Sequence, residues 1–176
     1  SRRLGFEASL RGVLLESVRP DVIVNLAGES RTDVVERAPE QYSYVNVQLP
    51  EALAEWCDAN GSHLIQISSQ GVFRGDNPPY ASLLERFAVN CYGDQKIRAE
   101  DAVKNHNNWT IVRLTFILGI RPMPYVGREN PLEQMIRLER SQQVNDRRFS
   151  FLFARDAAEA LWEIAAAKPK GHIVHL

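Results

Sequence analysis

His63-Leu64-Ile65-Gln66-Ile67-Ser68 is a run of strand length, aliphatic through most of its course, with Asn60-Gly61 just before it and a second serine just after. Two runs of the same character flank it: Asp21-Val22-Ile23-Val24-Asn25-Leu26 upstream and Thr110-Ile111-Val112-Arg113-Leu114 downstream. A strand wetted on one face alternates apolar with polar residues. These runs do not, so each is expected to be buried on both faces, as in a parallel sheet. The segments between them read as helices. From about Pro39 to Asn60, the residues Leu49, Ala52, Leu53 and Trp56 recur at helical spacing, and Asn60-Gly61 supplies a stop. The turn-rich stretch Gly75-Asp76-Asn77-Pro78-Pro79-Tyr80 leads into a helix from about Val89 to Asn105. Farther on come a short helix near Pro131–Arg140, a strand near Arg148–Phe153, a helix over Asp156–Ala167 and a last strand in Gly171-His172-Ile173-Val174-His175-Leu176. This alternation predicts one α/β domain built on a doubly wound parallel sheet with helices on both faces. Residues 1–118 carry most of the strands, and 119–176 form a lid or partner-binding portion packed on the same domain.

The 176 residues suffice for one sizeable core. Apolar residues make up 44% and charged residues 24%, with a formal net charge of -1, so no electrostatic pull toward nucleic acid or an anionic membrane is expected. No apolar run approaches the roughly 20 residues that span a bilayer. Ser1-Arg2-Arg3-Leu4-Gly5 lacks the apolar core of a secretory signal. Cys57 and Cys91 form neither a disulfide framework nor a zinc motif, which favours a reduced, cytoplasmic protein. The four histidines do not cluster, and His172 and His175 would leave a strand on opposite faces, so no metal site is expected. Cys91 lacks a histidine partner in its sequence context and reads as a packing residue. Trp56 and Trp162 fall on the core faces of their helices, and Trp109 is expected to pack where its strand begins. Gly127-Arg128-Glu129-Asn130 and Arg147-Arg148 could meet a diphosphate, although a solvated surface is the stronger reading.

The sharpest chemical feature is Tyr92-Gly93-Asp94-Gln95-Lys96 on the predicted helix. A spacing of four puts both side chains on one face, a turn apart. An ammonium beside a phenol stabilises the phenolate, which lowers the tyrosine pKa from about 10 toward neutrality. Such a tyrosine can give or take the proton that moves when a carbonyl and an alcohol interconvert. Ser69 ends the strand 23 residues earlier, on the rim where open α/β sheets bind ligands, and its hydroxyl can hold a substrate oxygen. Asn25-Leu26-Ala27-Gly28 ends the first strand with small residues that let a flat ligand approach the backbone.

In this order and spacing, these pieces resemble the extended short-chain dehydrogenase/reductase superfamily, of the sugar-nucleotide epimerase/dehydratase type. Pro20 to Gly28 is similar to the family's fourth strand with its N-A-A/G turn, and Tyr44-Val45-Asn46-Val47 to the helix segment that carries a structural asparagine. Ser68-Ser69-Gln70-Gly71-Val72-Phe73-Arg74-Gly75 resembles the S-T-D-Y-V-F-D-G run of dTDP-4-dehydrorhamnose reductases. Asn90 through Lys96 to Glu100 follows their N-x-Y-G-x-x-K-x-x-x-E pattern. Arg113 to Gly119 is similar to the L-R-x-x-x-x-x-G segment beside the nicotinamide, and Arg155-Asp156-Ala157-Ala158 to the D-x-A-x-A helix start.

The resemblance implies a Rossmann-like fold and NAD or NADP as cofactor. It places Ser69, Tyr92 and Lys96 as the catalytic residues, and Asn25, Ala27, Gly28, Tyr92, Lys96, Leu114 and Thr115 around the cofactor. The implied activity is reduction of the 4-keto group of a nucleotide sugar. It also implies that the chain lacks the family's N-terminal glycine-loop βαβ unit and is truncated at both ends. Gln70 and Gly71 stand where the 4,6-dehydratases carry acidic residues, which sets dehydration aside. An epimerase with the same three residues is the nearest alternative. A non-catalytic binding protein is the alternative from another class, because the fold also occurs in a regulatory subunit of methionine adenosyltransferase. A homodimer is compatible with either.

Overall fold

The computed structural model describes residues 14–76, 80, 86–119 and 150–176. After a short helix α1 (Glu16–Val18) come β1 (Val22–Asn25), α2 (Thr32–Arg37), α3 (Pro39–Ser43), a π-wound turn (Tyr44–Gln48) and α4 (Leu49–Asn60). The chain continues through β2 (His63–Ser69), a 3-10 turn (Gln70–Val72), α5 (Cys91–Lys104), β3 (Trp109–Leu114) and β4 (Phe116–Leu118). It closes with β5 (Phe151–Phe153), α6 (Ala154–Ala167) and β6 (His172–His175). Strands β1, β2, β3 and β6 form one sheet in that order, and all three pairings are parallel.

The expected α/β architecture is therefore present, with its helices flanking a parallel sheet. Register decides which residues share a face. Ile23 pairs with Leu64, Leu64 with Trp109, and Ile111 with Ile173. These residues meet Leu49, Leu53, Ala54, Trp56 and Cys57 of α4 and Val103 of α5 in the main apolar core. On the opposite face Ile65 and Val112 are also fully buried, as the unalternating strand runs require.

The same helix-facing rows turn polar toward the carboxyl ends of the strands. Asn25 lies beside Gln66, and Ser68, Arg113 and His175 stand in register across three strands. All but His175 are buried. This polar half of the sheet lies beneath α5. The helix is started by Asn90, whose side-chain oxygen accepts the Gly93 amide at 2.8 Å.

Several expectations are corrected. The single helix foreseen over Pro39–Asn60 is two helices joined by the π-wound turn. Pro50 has no N–H for the Asn46 carbonyl, and the Leu49 amide reaches back instead to the Tyr44 carbonyl. Helix α2 was not foreseen. Of the strand expected near Arg148–Phe153, Phe151–Phe153 is found as β5, which pairs in parallel with β4 as a separate two-stranded sheet, while Arg148 lies outside the described residues. Trp162 is 79% exposed, not core: it lies about 140° around α6 from the buried Ala157. Trp56 and Trp109 are buried as expected. The helix expected near Pro131–Arg140, and the candidate diphosphate residues Gly127 to Asn130, Arg147 and Arg148, lie outside the described residues. Among the described residues, no helix is long and apolar enough to cross a membrane.

Candidate active site

Strand β2 delivers Ser69 to the sheet rim, and α5 runs back across the same rim. The Ser69 side chain caps the 3-10 turn, accepting the Gly71 amide at 3.0 Å. Its hydroxyl is thereby free to donate toward the Tyr92 phenol, an interaction that pulls the phenol's pKa down. A Cβ on Gly71 would lie 3.6 Å from the Tyr92 ring, and one on Gly93 would collide with the Gly71 carbonyl oxygen. Gly93 therefore lets the first turn of α5 press against the loop after β2. That contact holds phenol and serine together.

Lys96 sits one turn beyond Tyr92, with its ammonium 5.8 Å from the centre of the phenol ring. It is 6% exposed and donates to the Ile67 carbonyl at 3.2 Å. Burial pushes its pKa down to about 8, with the Glu100 carboxylate opposing the fall. The tyrosine departs from the sequence expectation. Burial pushes its phenol up, and only the Ser69 hydrogen bond acts the other way. Desolvation of the phenolate outweighs the gain that the one-turn spacing to Lys96 suggested.

The turn after β1 completes the site. Asn25 is buried; its amide donates to Gln66 at 2.8 Å and its carbonyl accepts the Ala27 amide at 3.1 Å. Asn25 thus shapes the turn from within, while Leu26, Ala27 and Gly28 are its exposed surface. A Cβ on Gly28 would stand 3.0 Å from the Asn46 oxygen and 3.7 Å from the Lys96 nitrogen, so glycine lets the turn sit tightly against Asn46. Asn46, fully buried in the π-wound turn, accepts the Glu29 amide at 2.9 Å and donates to Gln95 of α5 at 2.7 Å. The π-wound turn thereby ties the β1 turn to the helix that carries Tyr92 and Lys96. Leu114 pairs in register with Ser69, and the neighbouring Thr115 has a buried hydroxyl without a hydrogen-bond partner among the described residues.

The structure thus gathers Ser69, Tyr92 and Lys96 with Ala27 and Gly28 on one rim. Sequence reasoning missed the charged group beneath them. Glu100, fully buried, accepts Ser68 at 2.6 Å and the Nε and Nη2 groups of Arg113 at 2.8 and 2.6 Å. Arg86 reaches the same carboxylate at 3.1 Å. The arginine inside an otherwise aliphatic strand and a carboxylate four residues after Lys96 were the available signals. Neither cysteine suits nucleophilic work: burial pushes the Cys57 thiol up to about 12, and a hydrogen bond to Glu36 raises Cys91. Among the described residues, no three His, Cys, Asp or Glu side chains converge as a metal site would require.

A family model described as "RmlD substrate binding domain" matches residues 7–175. The chain is 42% identical over 114 residues to methionine adenosyltransferase 2 subunit beta of Danio rerio, a match that covers 64% of this chain and 34% of that protein. It is 33% identical over 120 residues to dTDP-4-dehydrorhamnose reductase of Sinorhizobium fredii, covering 65% of this chain and 40% of the relative. Among solved structures it resembles dTDP-4-dehydrorhamnose reductase of Bacillus anthracis in complex with NADP. That likeness has a TM-score of 0.82 and 26% identity, over 93% of this chain and 58% of the other. The matched stretch therefore spans about a third of the curated subunit-beta relatives and somewhat over half of the solved reductase chain.

Proposed function

The chain belongs to the RmlD substrate binding domain family, and from that membership we propose that it is part of an NAD(P)-dependent oxidoreductase acting on a nucleotide sugar, by reduction of a 4-keto group. The observation that carries this reading is the gathering of the Ser69 hydroxyl and the Tyr92 ring beside Gly71, with the Lys96 ammonium 5.8 Å from the centre of that ring.

The residues present fit the nicotinamide end of the cofactor. Lys96 offers a buried ammonium next to a glycine turn that a Cβ would fill, and Thr115 offers a buried hydroxyl with no partner among the described residues. Ala27 and Gly28 would border the ring's approach, with Asn25 holding their turn in shape, and Leu114 and Thr115 would close the far side. When bound, the cofactor supplies the hydride donor. The protein's part is to place and protonate the oxygen. Ser69 donates a hydrogen bond to the keto oxygen, and Tyr92 passes its phenolic proton to that oxygen as it becomes the alcohol. The phenolate left behind is stabilised by Ser69 and by the nearby ammonium until solvent returns the proton. Residues 119–176 would carry much of the sugar contact.

A second reading is supported by the 42% identity to a subunit beta of methionine adenosyltransferase: a binding subunit that keeps the fold. Assay of the full-length protein with NADPH or NADH and dTDP-4-dehydrorhamnose separates the two. Cofactor oxidation with formation of the 4-hydroxy sugar is expected. Cofactor binding without turnover, together with association with a methionine adenosyltransferase catalytic subunit, would replace the first reading by the second.

A further inference from the structure

Tyr92, Lys96 and Glu100 occupy every fourth position of α5 and so lie along one stripe of the helix, toward the sheet. The first two belong to the candidate site, but Glu100 does not reach it. Its carboxylate is fully buried, where an ion is stable only with partners. Those partners come from separate elements. Ser68 belongs to β2 and is the residue just before Ser69; Arg113 belongs to β3, beside Ser68 in register; Arg86 precedes α5. Lys104 approaches from the same helix at 3.8 Å. Arg113 is held in turn by the Phe73 ring at 5.0 Å and by the His175 imidazole at 3.3 Å. Since the guanidinium can only donate, that histidine nitrogen accepts, and His175 is neutral.

We propose that Glu100 is the positioning residue of the Tyr92–Lys96 pair: clamped to Ser68 and Arg113, it sets the axial register of α5 against the strand that presents Ser69, and it is the counter-charge that keeps Lys96 an ammonium. The clamp joins the residue before Ser69 to the residue one turn after Lys96, so any slide of the helix along β2 breaks three hydrogen bonds. The charge matters because Lys96 is desolvated and has a backbone carbonyl as its direct partner. Glu100 is the group that opposes its loss of the proton. Arg113, Arg86 and Lys104 hold Glu100 in place while partly offsetting its field, so changing the carboxylate and changing the guanidinium must move Lys96 in opposite directions.

This role matters for catalysis only if the reading of Tyr92 and Lys96 above holds, but its test does not depend on activity. In full-length protein carrying 13C-labelled lysine, the Lys96 resonance is assigned by its absence from Lys96→Met and titrated by NMR. Glu100→Gln is expected to lower the Lys96 midpoint by about one pH unit. Arg113→Met, which leaves the carboxylate less neutralised, is expected to raise it, and Ser68→Ala, which removes one clamp bond without changing charge, to leave it in place. If either charge variant fails to fold, the other decides alone, because each has its own sign. A midpoint that a folded charge variant leaves unmoved, or that both variants shift the same way, overturns the proposal. Shifts as expected in a protein without turnover would instead remove the enzymatic reading and leave this one standing.

Discussion

At the scale of single residues, the site depends on what is missing as much as on what is present. Gly93 follows Tyr92, and its lack of a side chain lets α5 approach the Gly71 carbonyl. Gly93→Ala puts a methyl into backbone that cannot swing aside. We expect a loss of about 1–3 kcal/mol in unfolding free energy, measured by denaturant titration, because overpacking against backbone forces a shift of the whole turn. The variant should also lose the Ser69–Tyr92 contact, read as a changed Tyr92 environment by ultraviolet difference spectroscopy. The meeting of Ser69, Tyr92 and Lys96 on one rim was legible in the sequence because two of them lie four residues apart on a helix and the third ends a strand. The direction of the Tyr92 shift was not legible. It depends on how much water reaches the phenol, which is a property of the packed molecule.

At the scale of elements, the parallel strands were readable because aliphatic runs without alternation have one good solution, burial on both faces. The π-wound turn was not, although Pro50 is visible in the sequence. Its consequence, an amide bond displaced by one residue, lets Asn46 hold both Glu29 and Gln95, contacts 17 and 49 residues away along the chain. The clamp on Glu100 escaped for the same reason, since it joins α5 to β2, β3 and the segment before the helix.

Strand pairing also creates a buried histidine. His63 approaches the Thr110 hydroxyl at 2.8 Å, and that hydroxyl donates to the Pro169 carbonyl at 2.7 Å. His63 therefore donates from Nε2 and leaves Nδ1 a buried nitrogen without a partner among the described residues. Burial, aided by Lys170 and Lys168, lowers its pKa below the ordinary 6.5. The sign follows: below that value the unfolded chain takes up a proton that the folded protein resists. Stability should therefore be fully present above about pH 6.5 and fall as pH drops below it. Thermal melts of the protein and of His63→Gln across pH 5–8 check this. The slope assigned to His63 should vanish in the variant, and an unchanged slope would contradict the assignment.

At the scale of the whole molecule, a four-stranded parallel sheet presents its carboxyl edge as a continuous rim. One face of the sheet near that rim is polar where it underlies α5 and apolar farther back. The apolar part supplies the core, and the polar part holds the helix that bears Tyr92 and Lys96. Fold and site are thus one construction, and the fold is shared with relatives named as a reductase and as a subunit. What separates those readings is whether the Tyr92 proton moves. The most direct measurement is turnover of full-length Tyr92→Phe with dTDP-4-dehydrorhamnose and reduced cofactor, alongside cofactor affinity by titration. Removing the hydroxyl should lower kcat by roughly 100-fold or more while cofactor affinity holds within about twofold. Turnover equal to that of the unaltered protein would contradict the account.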